Sequence, residues 1–106
     1  MPEGYSIART DDAVALSGEI DIAAVHELRT ELAAFTQSGG PVVIDLRAVS
    51  FIDSSGIEAL CAARRDAEGA GGSVVLRSPS SAVVRVLEIT GLDDLFRIEP
   101  AAADDG

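Results

Sequence analysis

The chain has 106 residues, 18 acidic against 8 basic side chains and a formal net charge of -10, enough for one domain and too little for two. Its 47% hydrophobic and 25% charged composition can support a buried core, and the acidic balance argues against a direct nucleic-acid partner, whose phosphates need clustered Arg and Lys. All 8 basic residues are Arg, which removes lysine Schiff-base chemistry and P-loop phosphate capture, while the single Cys61 and single His26 exclude an internal disulfide, a CxxC motif and a two-histidine metal site.

Segments 5–9 and 13–17 alternate partly and are separated by Thr10, Asp11 and Asp12, which predicts two strands joined as a hairpin. From Ile22 to Phe35 the spacing changes. Val25, Leu28, Leu32 and Phe35 recur at steps of three and four, the signature of one helix face. Asp21 stands where an N-cap belongs, and Ser38, Gly39, Gly40 and Pro41 stop the helix. The β-branched run Val42 to Leu46 predicts a central strand covered on both faces, followed by a loop from Arg47 to Ile52.

After Asp53 a second helix opens near Ser55, with Ile57, Leu60 and Cys61 on one face, and runs to the turn segment 69–72. Val74 to Leu76 predicts another strand. Ser78 and Pro79 read as a cap with a first-turn proline, Val83, Val86 and Leu87 as a third helix face, and Gly91 as its C-terminal stop. Leu95 to Ile98 is expected to form a last edge strand or a short docking segment, and residues 100–106 a frayed tail. Helices that join successive strands make those strands parallel. The expected fold is therefore α/β: a mixed sheet of four to five strands packed with three to four helices, as one domain over residues 3–99. The start MPEGYS is polar, and no apolar run approaches the roughly 20 residues that span a bilayer, so a cytoplasmic protein without membrane insertion is expected.

The chemistry concentrates in Phe51-Ile52-Asp53-Ser54-Ser55-Gly56. Amides at a helix start have no intrahelical partner and the helix dipole is positive there, so an anion on Ser54 or Ser55 would be stabilised by a few tenths to about one kcal/mol. Asp and Ser are also the commonest helix caps. Local chemistry leaves both readings open.

The stretch VVIDLRAVSFIDSSGIEAL, with ALSGEID before it and VLEITGLDDLF after it, resembles the STAS domain of bacterial anti-sigma-factor antagonists from about Val14 to Phe96. The resemblance implies a STAS fold without enzymatic activity or cofactor. It implies that Ser54, the first serine after the aspartate, is phosphorylated by a partner kinase. That partner would be an anti-sigma factor with serine kinase activity and a histidine-kinase-like ATPase fold, bound only while Ser54 is unmodified, and a serine/threonine phosphatase would reset the switch. Asp21, in the block Gly18-Glu19-Ile20-Asp21, is implied in partner contact, together with Asp53, Ser54, Ser55, Gly56, Ile57 and Glu58. Glu58 departs from the small glycine often found there, which points to altered partner choice through charge. A STAS adaptor that is never phosphorylated is the alternative function, and a serine hydrolase a distant one, since the Gly-x-Ser-x-Gly elbow is missing. Cys61 reads as a buried small hydrophobe and His26 as a solvated surface residue.

Overall fold

The computed structural model describes residues 4–10, 13–37 and 39–100. Asp11, Asp12, Ser38 and residues 101–106, on which the expected hairpin turn, part of the helix stop and most of the tail fall, lie outside the described residues. The elements in chain order are β1 (Tyr5–Arg9), β2 (Val14–Ile20), α1 (Ile22–Thr36), β3 (Pro41–Ile52), α2 (Ser54–Gly69), β4 (Ser73–Arg77), α3 (Ser81–Thr90) and β5 (Arg97–Glu99). They form the expected mixed α/β architecture, a five-stranded sheet in the order β1-β2-β3-β4-β5. Only β1 is antiparallel to its neighbour. Each later strand is parallel to the one before it, as a helical crossover between adjacent strands requires.

The core is apolar and continuous. Leu16, Ile20, Leu28, Leu32, Ile44, Leu46, Leu60, Leu76 and Leu87 are its largest fully buried side chains, each adding roughly 1.5–3 kcal/mol of transfer free energy on burial. On α1 the buried line is Ala24, Leu28, Leu32 and Thr36, with Val25 and Phe35 half-buried at its margin. The face is thus rotated slightly from the expected one, toward Ala24 and Thr36.

Four expectations are corrected. β2 does not end at Ser17, and the segment from Arg47 to Ile52 is strand rather than loop. β2 runs through Gly18 and Glu19, and β3 continues beside it as far as the Ile20–Ile52 pair. Register shifts between Ala15 and Ser17 and between Gly18 and Glu19 break the two-residue period by which a strand is recognised. β3 is not covered on both faces either: Val42, Ile44 and Leu46 are buried, whereas Val43 and Asp45 are half-buried. Its β-branched run reflects packing on a pleated surface as much as double cover. Finally, α3 is capped by Ser80, whose hydroxyl accepts from the Val83 amide, and Pro79 lies before the helix. Ser78 instead adopts a left-handed φ of 51°, turning the chain out of β4 while its amide donates to the Glu99 carbonyl at 2.7 Å.

The last strand is the short parallel β5. Leu95 belongs to the turn before it, its amide donating to the Leu92 carbonyl. No helix among the described residues is long and apolar enough to cross a membrane.

Candidate functional site

β2 and β3 end side by side at the register pair Ile20–Ile52. Each is followed by one aspartate and then by a helix, so Asp21 caps α1 and Asp53 caps α2. The Asp53 amide donates to the Ile20 carbonyl at 3.3 Å, tying the two junctions together. Both caps and the serines thus meet at the C-terminal edge of the parallel strands, where α/β folds commonly place their functional groups.

At the α2 junction one carboxylate oxygen does most of the binding. Asp53 Oδ1 accepts the Ser55 amide at 3.0 Å, the Ser55 hydroxyl at 2.6 Å and the Gly56 amide at 3.2 Å. The Ser55 hydroxyl is the largest influence holding the Asp53 carboxyl below its ordinary range; burial pushes the other way, and the Gly56 and Ser55 amides add to the lowering. Asp53 is therefore ionised at neutral pH. Ser54 follows it as the first helical residue, exposed, and its hydroxyl makes none of the hydrogen bonds found among the described residues. The two serines are chemically unequal: Ser55 Oγ is committed to Asp53 and half-buried, whereas Ser54 Oγ is open.

Gly56 and Ile57 take a different place from the one expected of contact residues. Both are buried. A Cβ on Gly56 would stand 2.7 Å from Ile52 Cγ1 and 2.8 Å from the Ile20 carbonyl oxygen, so glycine is what lets the start of α2 rest on the two strand ends. Gly56 and Ile57 therefore support the start of α2 from beneath. Glu58 is exposed one turn along α2, and Asp21 is half-buried, its carboxylate accepting the Ala23 amide at 3.0 Å.

His26 is exposed on α1. Cys61 is half-buried and burial, the largest influence, raises its thiol pKa, which keeps it protonated and a poor nucleophile. Two exposed apolar residues lie beside the site, Ile22 at the start of α1 and Phe51 near the end of β3; the sequence assigns neither a role of its own, Phe51 only opening the segment Phe51-Ile52-Asp53-Ser54-Ser55-Gly56. The available signal was their position, Ile22 directly after one cap and Phe51 two residues before the other.

A family model described as "Mlab, STAS domain" matches residues 3–98. The anti-sigma-B factor antagonist of Bacillus subtilis (strain 168) is 33% identical over 88 residues, covering 83% of this chain and 81% of the relative. The crystal structure of an anti-sigma factor antagonist from Mycobacterium paratuberculosis superposes with a TM-score of 0.70 at 31% identity, covering 94% of this chain and 87% of that one. The fold is also shared with the Bacillus cell fate determinant SpoIIAA, solved in its phosphorylated form, at a TM-score of 0.64 and 24% identity, with 89% of each chain covered. With the family model spanning nearly every described residue and a relative of this identity matched along most of both lengths, the chain belongs to the STAS domain family.

Proposed function

We propose that this chain is an anti-sigma-factor antagonist switched by phosphorylation of Ser54. In its unmodified form it binds, through the strand-end surface around Ser54, an anti-sigma factor that has serine kinase activity and a histidine-kinase-like ATPase fold, and thereby frees a sigma factor in the cytoplasm. The kinase transfers the γ-phosphoryl group of its ATP to Ser54 Oγ, releasing ADP and the hydroxyl proton. A serine/threonine phosphatase restores the hydroxyl. The chain itself acts as a binding protein and not as an enzyme.

The observation that carries this reading is the inequality of the two serines. Ser54 Oγ is exposed and uncommitted, while Ser55 Oγ is held 2.6 Å from Asp53. Phosphorylation adds about -1.5 to -2 charges, placed beside an ionised Asp53. An interface fitted to a neutral hydroxyl must then desolvate that charge, at a cost of about 2–5 kcal/mol, or roughly 30-fold to several thousandfold in affinity.

The test compares wild type, Ser54→Ala and Ser54→Asp for binding to the purified anti-sigma factor, with circular dichroism confirming that each folds. The alanine form is expected to stay bound in the presence of ATP. The aspartate form is expected to lose affinity by about 30-fold, the lower end of the range because a carboxylate carries less charge than a phosphate. Phosphopeptide mapping should place the label on Ser54 and not on Ser55. Equal affinity of all three forms would reject gating at Ser54 and leave a constitutive STAS adaptor.

A further inference from the structure

Among the described residues the exposed large apolar side chains are Ile22, Phe51, Ile89, Leu95 and Ile98. Ile89 and Leu95 lie where α3 ends and β5 begins, and Ile98 lies within β5. Ile22 and Phe51 are instead carried by the two segments that form the site, with 73% and 48% of their surface exposed. Ile22 is the first residue of α1 and Ser54 the first residue of α2. Because β2 and β3 end at the paired residues Ile20 and Ile52 and each is followed by a single capping aspartate, Ile22 and Ser54 occupy equivalent positions at the starts of the helices that follow adjacent parallel strands.

Phe51 is paired in register with Glu19 one residue before those strand ends. Neither side chain is explained by the fold. Position one of a helix calls for no apolar group, and the neighbouring Ile20 and Ile52 are the residues that fill the core.

We propose that Ile22 and Phe51 are the apolar anchors of the interface with the kinase-active anti-sigma factor, an inference that rests on the function proposed above. Continuity with Ser54 identifies the occupant. A protein that delivers a phosphoryl group to Ser54 Oγ must close over the adjacent strand end as well, and Ile22 is what that strand end presents. The rim is acidic, with Glu19 and Glu58 exposed and Asp21 and Asp53 half-buried. The complementary surface is an apolar cup bordered by cationic side chains, the usual anatomy of an apolar interface centre with a polar rim. Ile22 also accounts for why the modification is disruptive. A phosphate on Ser54 would lie beside the anchor, inside the zone from which water has been excluded, and not at the solvated rim.

The experiment is calorimetric titration of the full-length chain against the purified cognate anti-sigma factor loaded with ADP, alongside the rate of Ser54 phosphorylation with ATP. Ile22→Ala and Phe51→Ala should each weaken binding by about tenfold or more and raise the KM for this chain as substrate. Ile89→Ala should bind as wild type does. Ile22→Glu is the second variant: an acidic residue suits the first turn of a helix, so the fold is kept while binding should fall further than with alanine. Wild-type affinity for Ile22→Ala, Ile22→Glu and Phe51→Ala, together with loss of binding by Ser54→Asp, would overturn the anchors and leave the proposed function standing. Absence of binding by the wild-type chain, or full binding by Ser54→Asp, would overturn the proposed function and the anchors with it.

Discussion

The two strand-to-helix junctions begin from the same plan and diverge residue by residue. After the paired Ile20 and Ile52 come Asp21 and Asp53, then Ile22 and Ser54, then Ala23 and Ser55, then Ala24 and Gly56. The Asp21 carboxylate accepts one amide, whereas the Asp53 carboxylate accepts two amides and a hydroxyl among the described residues. Ala24 has room for its methyl group in the core, while a methyl at Gly56 would press on both strand ends. One junction is an ordinary helix start carrying an exposed apolar residue. The other is drawn tight against the sheet, with the Ser55 hydroxyl held on Asp53 and the Ser54 hydroxyl left open. Equivalent backbone geometry therefore yields different chemistry through the choice of side chain at the first three helical positions.

The sharpest way to break this contrast is Gly56→Ala. The added methyl meets Ile52 Cγ1 and the Ile20 carbonyl oxygen at 2.7 and 2.8 Å, and overpacking of this kind costs about 1–3 kcal/mol. A domain of this size should lose roughly 4–8 °C of melting midpoint per kcal/mol. A midpoint equal to that of wild type in thermal or urea unfolding would show that α2 is not seated as described.

Removing the caps should have a smaller and unequal effect. Asp53→Ala is expected to destabilise by about 1–2 kcal/mol and Asp21→Ala by about 0.5–1 kcal/mol, the two ends of the range for loss of an N-cap. Urea titrations of both variants would measure the difference, and equal losses would mean that the extra hydrogen bonds to Asp53 are energetically idle.

The lowered pKa of Asp53 makes its contribution dependent on pH. The folded chain binds this proton more weakly than the unfolded one, so the stabilisation is fully present above the ordinary carboxylate pKa of about 4 and disappears as pH falls through the folded value. The stability gap between wild type and Asp53→Asn should therefore narrow as the pH falls below about 4. Ser55→Ala removes the largest cause of the lowering, the 2.6 Å hydroxyl hydrogen bond, and should raise the Asp53 pKa toward the ordinary value. Carboxyl-carbon chemical shifts followed through an acid titration would measure it; an unchanged midpoint would contradict the hydrogen bond.

The smallest effect is expected from phosphorylation itself. A phosphate on the first turn of α2 interacts favourably with the helix dipole by a few tenths to about one kcal/mol, and Asp53 beside it opposes that gain. Melting midpoints of the two forms should lie within a few degrees of each other. Collapse of the fold on modification would mean that Ser54 is coupled to the core and not poised at its surface.

Much of this arrangement was legible in the residues. The helical spacing from Val25 to Phe35, the apolar run at Val42 and the aspartates before α1 and α2 depend on local chemistry, and they appear where that chemistry places them. The second half of β3 was hidden because the register shifts opposite it disturb the alternation of its side chains. The sequence Ser78-Pro79-Ser80-Ser81 offers several caps, and the choice of Ser80 follows from the way Ser78 leaves β4 with a left-handed backbone. Gly56 read as part of a contact motif, since nothing in a linear sequence reveals that the Ile20 carbonyl lies beneath it. The exposure of Ile22 and Phe51 depends on how the two strand ends and helix starts sit together, which no linear spacing reports.

The short β5 has a consequence for the open edge of the sheet. An unpaired sheet edge is a template for strand addition and aggregation, and proteins blunt such edges with brevity and charge. β5 has 3 residues, Arg97, Ile98 and Glu99, all exposed, and Glu99 is already engaged by Arg77 at 2.7 Å. At the opposite edge β1 ends in Arg9, which pairs with Glu31 at 3.4 Å and lies over the Phe35 ring. Neither margin offers a long, flat, apolar ladder to a second copy, and a net charge of -10 adds mutual repulsion. The described sheet margins are thus blunted against fibrillar self-association.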